Sequence, residues 1–103
     1  MATDQQFVVL DIVRGRETPG RKLRAELEAR GIKKDRAVFY QLMARMEGAG
    51  LIEGSYFRNI IDGRGFREKQ YKVTGAGEAA YQAKLAFYKS QLRETGGLLS
   101  GEV

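Results

Sequence analysis

The side chains of this sequence that could do chemistry are guanidinium, ammonium, amide and phenol groups. One set falls in residues 35–54, "DRAVFYQLMARMEGAGLIEG", which carries Arg36, Tyr40, Gln41 and Arg45. Arg21, Lys22 and Arg24 form a second cluster, and Lys33 and Lys34 stand just ahead of the quoted stretch. Arg58, Arg64, Arg67 and Lys69 form a third group. These groups recognise rather than react: arginine presents a planar fork of donors to anionic oxygens, lysine a point charge, and glutamine a paired donor and acceptor. With no His and no Cys in the chain, thiol catalysis, imidazole acid–base work, disulfides and nearly every zinc site are excluded. No acidic cluster suggests a Mg²⁺ or Ca²⁺ site. No Ser/His/Asp, Cys/His, phosphate-loop or paired-carboxylate arrangement appears. Neither an enzyme nor a bound cofactor or metal is expected.

The charge is unevenly placed. The 103 residues carry a net charge of +5, yet residues 19–72 hold 13 Lys/Arg against 7 Asp/Glu and the remainder 5 against 6. All the excess positive charge lies in the middle of the chain. A localised basic zone is either a solvated surface or the electrostatic footprint of a polyanion-binding one. A length of 103 residues suits one domain of modest stability, for which partner contacts would matter.

The elements that must hold these groups follow from patterning. Residues 4–14 predict a short helix, capped by Asp4, with Phe7, Leu10 and Val13 on one face, although its β-branched residues also allow a strand. Thr18 is the expected cap of a second helix with Pro19 at its first position, carrying Leu23 and Leu27 and stopping at Gly31. Asp35 caps a third, whose Phe39, Leu42, Met43 and Met46 give the i, i+3, i+4, i+7 stripe of a core-facing helix. Gly48 and Gly50 end it. "LIEGSYFRNII" and "FREKQYKV" then read as strands joined by an Asp-Gly turn. Thr74 caps a long final helix with Glu78 in its first turns. The order helix, helix, helix, hairpin, helix is a winged helix-turn-helix: mainly α (α+β), three helices, a two-stranded β-hairpin wing and a long C-terminal helix.

The segment "FYQLMARMEGAGLIEG", followed by a wing and by "QYKVTGAGEAAY", resembles the PadR-type transcriptional regulators. The family pattern is met by Tyr40, Leu42-Met43, Met46-Glu47 and Gly50-Leu51-Ile52, and after the wing by Tyr71, Thr74 and Gly77; the resemblance spans roughly residues 7–92. Where the family tends to carry small or hydroxylated residues early in the recognition helix, this chain has Arg36-Ala37-Val38. Its wing is also more hydrophobic, with Phe57, Ile60, Ile61 and Phe66.

On this organisation the third helix enters the major groove of double-stranded DNA, its apolar stripe holding it on the domain. Arg36 and Gln41 could read base edges, Ala37 and Val38 could touch a thymine methyl, and Lys33, Lys34 and Arg45 suit phosphates. Tyr40 could donate its hydroxyl to a phosphate, as the resemblance implies, or pack beside Phe39. Arg21, Lys22 and Arg24 lie where the second helix crosses the backbone, and Arg58, Arg64, Arg67 and Lys69 lie in or beside the wing. Along the final helix Tyr81, Leu85, Tyr88 and Leu92 recur as a coiled-coil-like seam, with Ala79, Ala80, Ala83, Ala86 and Phe87 as a second apolar surface. One small domain cannot cover both faces, so the first seam is assigned to a homodimer, which the resemblance also implies. The expected divisions are a DNA-binding domain at 1–74, a dimerisation helix at 75–95 and a disordered tail at 96–103. A small-molecule effector is left open, with Phe7, Tyr81 and Phe87 as loose candidates. No membrane span or signal-peptide pattern is found, so a cytoplasmic, nucleoid-associated protein is expected. The leading expectation is a dimeric regulator, a repressor on a palindromic site. The alternative is a winged-helix module whose main partner is another protein.

Overall fold

The computed structural model describes the backbone of residues 1–101 and the side chains of residues 1–95. The chain forms α1 (Asp4–Gly15), β1 (Thr18–Pro19), α2 (Gly20–Ala29), α3 (Arg36–Gly48), β2 (Ile52–Ile61), β3 (Arg64–Val73) and α4 (Gly75–Gly101). The tail expected over 96–103 concerns residues whose side chains, and from 102 whose backbone, lie outside the described part.

Local chemistry sets the helix boundaries. Thr3, not Asp4, caps α1: its hydroxyl accepts from the Gln6 amide at 3.1 Å and the Gln6 side chain accepts from the Thr3 amide at 3.0 Å, a reciprocal capping box. Asp4 is the first helical residue, where its charge suits the positive helix end. Asp35 caps α3 by accepting from the Val38 amide at 2.9 Å. Both α2 and α3 end in the same way. Gly31 (φ +89°) and Gly50 (φ +75°) take the left-handed conformation, and the next amides, of Ile32 and Leu51, return to the carbonyls of Leu27 and Met46.

The wing is part of a three-stranded antiparallel sheet in the order β1-β3-β2, where the sequence predicts two strands. Thr18 and Pro19, expected to open α2, instead pair with Tyr71 and Gln70 on the free edge of β3. The physical reason is that Pro19 has extended backbone (ψ 143°) and no side-chain cap bond forms at the start of α2. A proline, lacking an N–H, is tolerated on a sheet edge. The β2–β3 turn is Asp62-Gly63, both with positive φ (52° and 75°), as a two-residue hairpin requires.

One core joins these layers. Val9, Leu10 and Val13 of α1 meet Leu23 and Leu27 of α2, the four-residue stripe of α3, Ile52, Tyr71 and Tyr81. Phe39, Met43 and Met46 are fully buried, so α3 is fixed in rotation about its axis. Truncating one of these large side chains to alanine costs about 2–5 kcal/mol.

The Tyr71, Thr74 and Gly77 of the family-like motif have separate jobs. Tyr71 fills the core, and burial pushes its phenol pKa up. The Thr74 hydroxyl donates to the Gly50 carbonyl and accepts from the Gly77 amide at 2.9 Å, tying the end of α3 to the start of α4. At Gly77 an added Cβ would stand 2.0 Å from the Leu51 carbonyl oxygen, so this close approach needs glycine.

Candidate nucleic-acid interface

With its stripe turned inward, α3 leaves Arg36, Ala37, Val38, Gln41 and Arg45 exposed, as the sequence predicts. Tyr40 sits at the boundary. Its ring stands edge-on to Phe39 with centroids 4.9 Å apart, and its hydroxyl lies against Gly20 at the start of α2. The side chain is nevertheless 36% exposed. It thus packs beside Phe39 and also keeps an accessible face, 5.9 Å from the Arg36 guanidinium carbon.

The other predicted cations differ in how committed they already are. Arg24 is half-buried and its Nε donates to the Lys34 carbonyl at 3.0 Å, bracing the turn between α2 and α3. Arg21 approaches Glu68 at 3.6 Å and Lys69 approaches Glu47 at 2.9 Å. By contrast, Lys22, Lys33, Lys34, Arg36, Arg45, Arg58, Arg64 and Arg67 make no ion pair among the described residues. Arg67 stacks on Tyr56, its guanidinium carbon 4.0 Å from the ring centroid.

A groove of about 840 Å³ opens between α2, α3 and the wing. It gathers Arg21, Arg24, Arg36, Tyr40, Arg67 and Lys69 from three separate elements. Lys22, Gln41 and Arg45 lie outside it on the helices, Lys33 and Lys34 outside it in the connection between α2 and α3, and Arg58 and Arg64 outside it on the wing. Sequence reasoning missed Tyr56 and the carboxylates Glu28, Glu47 and Glu68, and it singled out Ile61 and Phe66 as wing hydrophobics without giving them a place in the site; Tyr56, Ile61 and Phe66 supply aromatic and apolar walls. A signal for Tyr56 existed: counting outward from the Asp62-Gly63 turn pairs Tyr56 with Lys69 and Arg58 with Arg67.

At the far side, α4 packs on α1. Tyr81 stacks face-to-face on Phe7 at 4.7 Å and donates to Asp11 at 2.7 Å. Tyr88 meets the Phe7 ring edge-on and donates to Asp4. Arg14 forms a two-bond pair with Glu78 (2.6 and 3.0 Å), which holds the Glu78 carboxyl down at about 2. Arg30 and Tyr81 together hold Asp11 below the usual carboxylate range. Of the seam assigned to a dimer, Tyr81, Leu85 and Tyr88 therefore lie against their own chain, and Leu92 is 70% exposed. Phe7 and Tyr81, loose candidates for an effector pocket, fill each other's space.

These observations define a winged helix-turn-helix domain with an outward-facing cationic α3 and wing. No family model matches the chain, and no curated protein matches it. Solved structures do. A PadR-family transcription regulator from Clostridium difficile R20291 is 18% identical and superposes with a TM-score of 0.79 over 94% of this chain and 99% of its own. A PadR-like regulator from Bacillus cereus is 23% identical, TM-score 0.74, over 91% and 89%. Bacillus subtilis PadR, solved in complex with operator DNA, is 15% identical, TM-score 0.63, over 80% of this chain and 46% of that one. The chain has the fold of these regulators. Among the described residues no helix is long and apolar enough to cross a membrane.

Proposed function

We propose that the chain is a PadR-type, sequence-specific DNA-binding transcriptional regulator, acting as a dimeric repressor at a palindromic operator. The observation that carries this reading is the division of α3 into a buried apolar stripe and an exposed face bearing Arg36, Ala37, Val38, Gln41 and Arg45, beside a wing whose arginines have no carboxylate partner among the described residues. A helix held in this way can enter the major groove, which is about 12 Å wide, without losing its packing. The likeness to the operator-bound Bacillus subtilis PadR supports the same reading. In it, Arg36 and Gln41 read base edges, Lys22, Lys33, Lys34 and Arg45 meet phosphates, and the wing lies on the adjacent minor groove or backbone. The protein binds rather than catalyses, and it works in the cytoplasm on nucleoid DNA.

The dimer is supported by lengths. α4 has 27 residues and α1 has 12, about 40 Å against about 18 Å at 1.5 Å per residue. Tyr88 already reaches Asp4, the first residue of α1, so Leu92 one turn further on is left 70% exposed, with no α1 residue beside it among the described residues. A second subunit meeting Leu92, Phe87 and the exposed Ala79, Ala83 and Ala86 would cover the rest and set two α3 helices about one DNA turn, ~34 Å, apart.

A protein-binding module is the second reading, favoured by the exposure of Tyr56, Ile60 and Phe66 on the wing (57%, 73% and 44%). Titration of a labelled random duplex separates the two. The first expects micromolar binding at low salt that is abolished by 0.3 M salt, together with an ultracentrifuge mass of two chains. Absence of binding at low salt favours the second.

A further inference from the structure

The two faces of the wing are chemically unlike. Strand residues alternate sides, and the β2–β3 register places Tyr56 with Lys69, Arg58 with Arg67, and Ile60 with Gly65 on one face. The strand residues of that face include three cations and no carboxylate; Glu47 of α3 meets one of them, Lys69, which leaves Arg58 and Arg67 as its unpaired cations. The opposite face balances Arg64 and Lys72 with Glu53 and Glu68. Arg58 and Arg67 stand opposite each other in the ladder but their guanidinium groups diverge, Arg67 over the Tyr56 ring and Arg58 against Gly65; neither is neutralised by a carboxylate among the described residues, so a polyanion lying over them would meet two unpaired cations.

Next to this pair, toward the tip, stands Ile60. It is 73% exposed, because the residue across from it is Gly65, which has no side chain to cover it. The place of a Gly65 Cβ is taken by Arg58, whose Nε would be 2.9 Å away. A single aliphatic side chain therefore projects near the end of a narrow ribbon, with the Arg58 guanidinium beside it at Gly65 and the Arg67 guanidinium one rung further back, over Tyr56. Asp62 in the turn is the only nearby carboxylate among the tip residues 60–65.

Building on the DNA-binding reading, we propose that Ile60 is a wedge that the Arg58–Arg67 pair directs into the minor groove, where it partly unstacks a base step and kinks the duplex. Arginine suits the negative potential of a narrow minor groove, and isoleucine is among the side chains that open base steps. Sequence preference under the wing then comes from deformability, with pyrimidine–purine steps favoured because they unstack most readily. A protein partner at the same place would have to bring carboxylates to the two arginines, whereas a duplex presents phosphates and a negative minor groove along its whole length.

The test uses the full chain. Wild type, Ile60→Ala and Ile60→Leu are each used to enrich a pool of randomised 30-bp duplexes. The enriched duplexes, labelled at both ends, are measured for energy transfer with and without protein. Wild type should enrich TA or CA steps at the outer positions and bend the duplex on the order of 20–90°. Ile60→Ala should keep the sequence preference beneath α3 but lose the outer-step preference and most of the bend, whereas Ile60→Leu should keep both. Circular dichroism checks that the variants, altered at an exposed site, remain folded. If Ile60→Ala enriches and bends DNA like wild type, the wedge is overturned while the DNA-binding reading stands, and a protein partner becomes the occupant of this face. If wild type enriches nothing, both fall together.

Discussion

Salt dependence gives the sharpest test of the partition of cations between structure and binding. Eight cations on the proposed DNA-facing elements have no ion-pair partner among the described residues: Lys22, Lys33, Lys34, Arg36, Arg45, Arg58, Arg64 and Arg67. If half of them meet phosphates in each of two subunits, about eight condensed counterions are released and log K falls against log[salt] with a slope of about −7. Between 50 and 200 mM salt that is a loss of roughly 10⁴-fold, whereas one subunit with the same contacts gives a slope near −3.6 and a loss of roughly 150-fold. Fluorescence anisotropy on a labelled 30-bp duplex from 50 to 300 mM KCl measures the slope. Arg45→Ala should flatten it by about 2 for a dimer, one contact per subunit. Lys69→Ala should leave it nearly unchanged, because the Lys69 charge is already met by Glu47 at 2.9 Å. Arg36→Ala should instead relax sequence preference by ~1–3 kcal/mol with a smaller change in slope. A wild-type slope shallower than about −2, or a Lys69→Ala effect as large as that of Arg45→Ala, would refute the assignment of free and committed charges.

Three further outcomes are expected. Leu92→Lys should give single chains in the ultracentrifuge and halve the salt slope; a mass of two chains for this variant would remove Leu92 from the contact. At Gly77, alanine would meet the Leu51 carbonyl oxygen at 2.0 Å, so Gly77→Ala should cost at least about 2 kcal/mol in denaturant unfolding, whereas Gly48→Ala, at a helical position with open space, should be neutral or stabilising by up to ~1 kcal/mol. For pH, Glu78, Asp11 and Asp4 all have folded pKa values depressed by their partners, so their stabilisation is complete above the unfolded value near ~4 and is lost as pH falls through the folded values, down to about 2 for Glu78. Tyr88 is the opposite case: Asp4 raises its phenol to about 12, so its contribution holds below the unfolded value of ~10 and is lost as pH rises through the folded one. Melting temperature should therefore be flat from pH 5 to 9 and fall at both ends, and Arg14→Met should make the acid limb shallower.

Much of the fold was legible because α3 and the hairpin are encoded locally. Phe39, Leu42, Met43 and Met46 fall on one helical face whatever surrounds them, and Asp62-Gly63 dictates a tight turn by backbone sterics alone. What was misread depended on competition between local signals. Thr18-Pro19 carries a helix-start pattern, but the free edge of β3 offers hydrogen bonds that only tertiary structure reveals. At the start of α1 two cap signals stand side by side, and the reciprocal Thr3–Gln6 bonds decide it over the acidic Asp4 one residue later.

The basic surface was legible only in part, for a different reason. Sequence gives the number of cations but not their prior engagements, since Glu47 and Glu68 lie 22 and 47 residues from Lys69 and Arg21 and reach them only through folding. Those two glutamates neutralise the wing root and the start of α2, while the wing tip and the outer face of α3 keep their charge. The unneutralised charge is thereby displaced from the core-side wall of the groove toward the protruding elements. That is the distribution a duplex can reach, because protruding elements enter its grooves before it can meet what lines a cleft. Were Glu47→Gln and Glu68→Gln to tighten binding strongly, the groove wall would be part of the contact after all; only a small, salt-sensitive gain is consistent with the tips of α3 and the wing carrying the interaction.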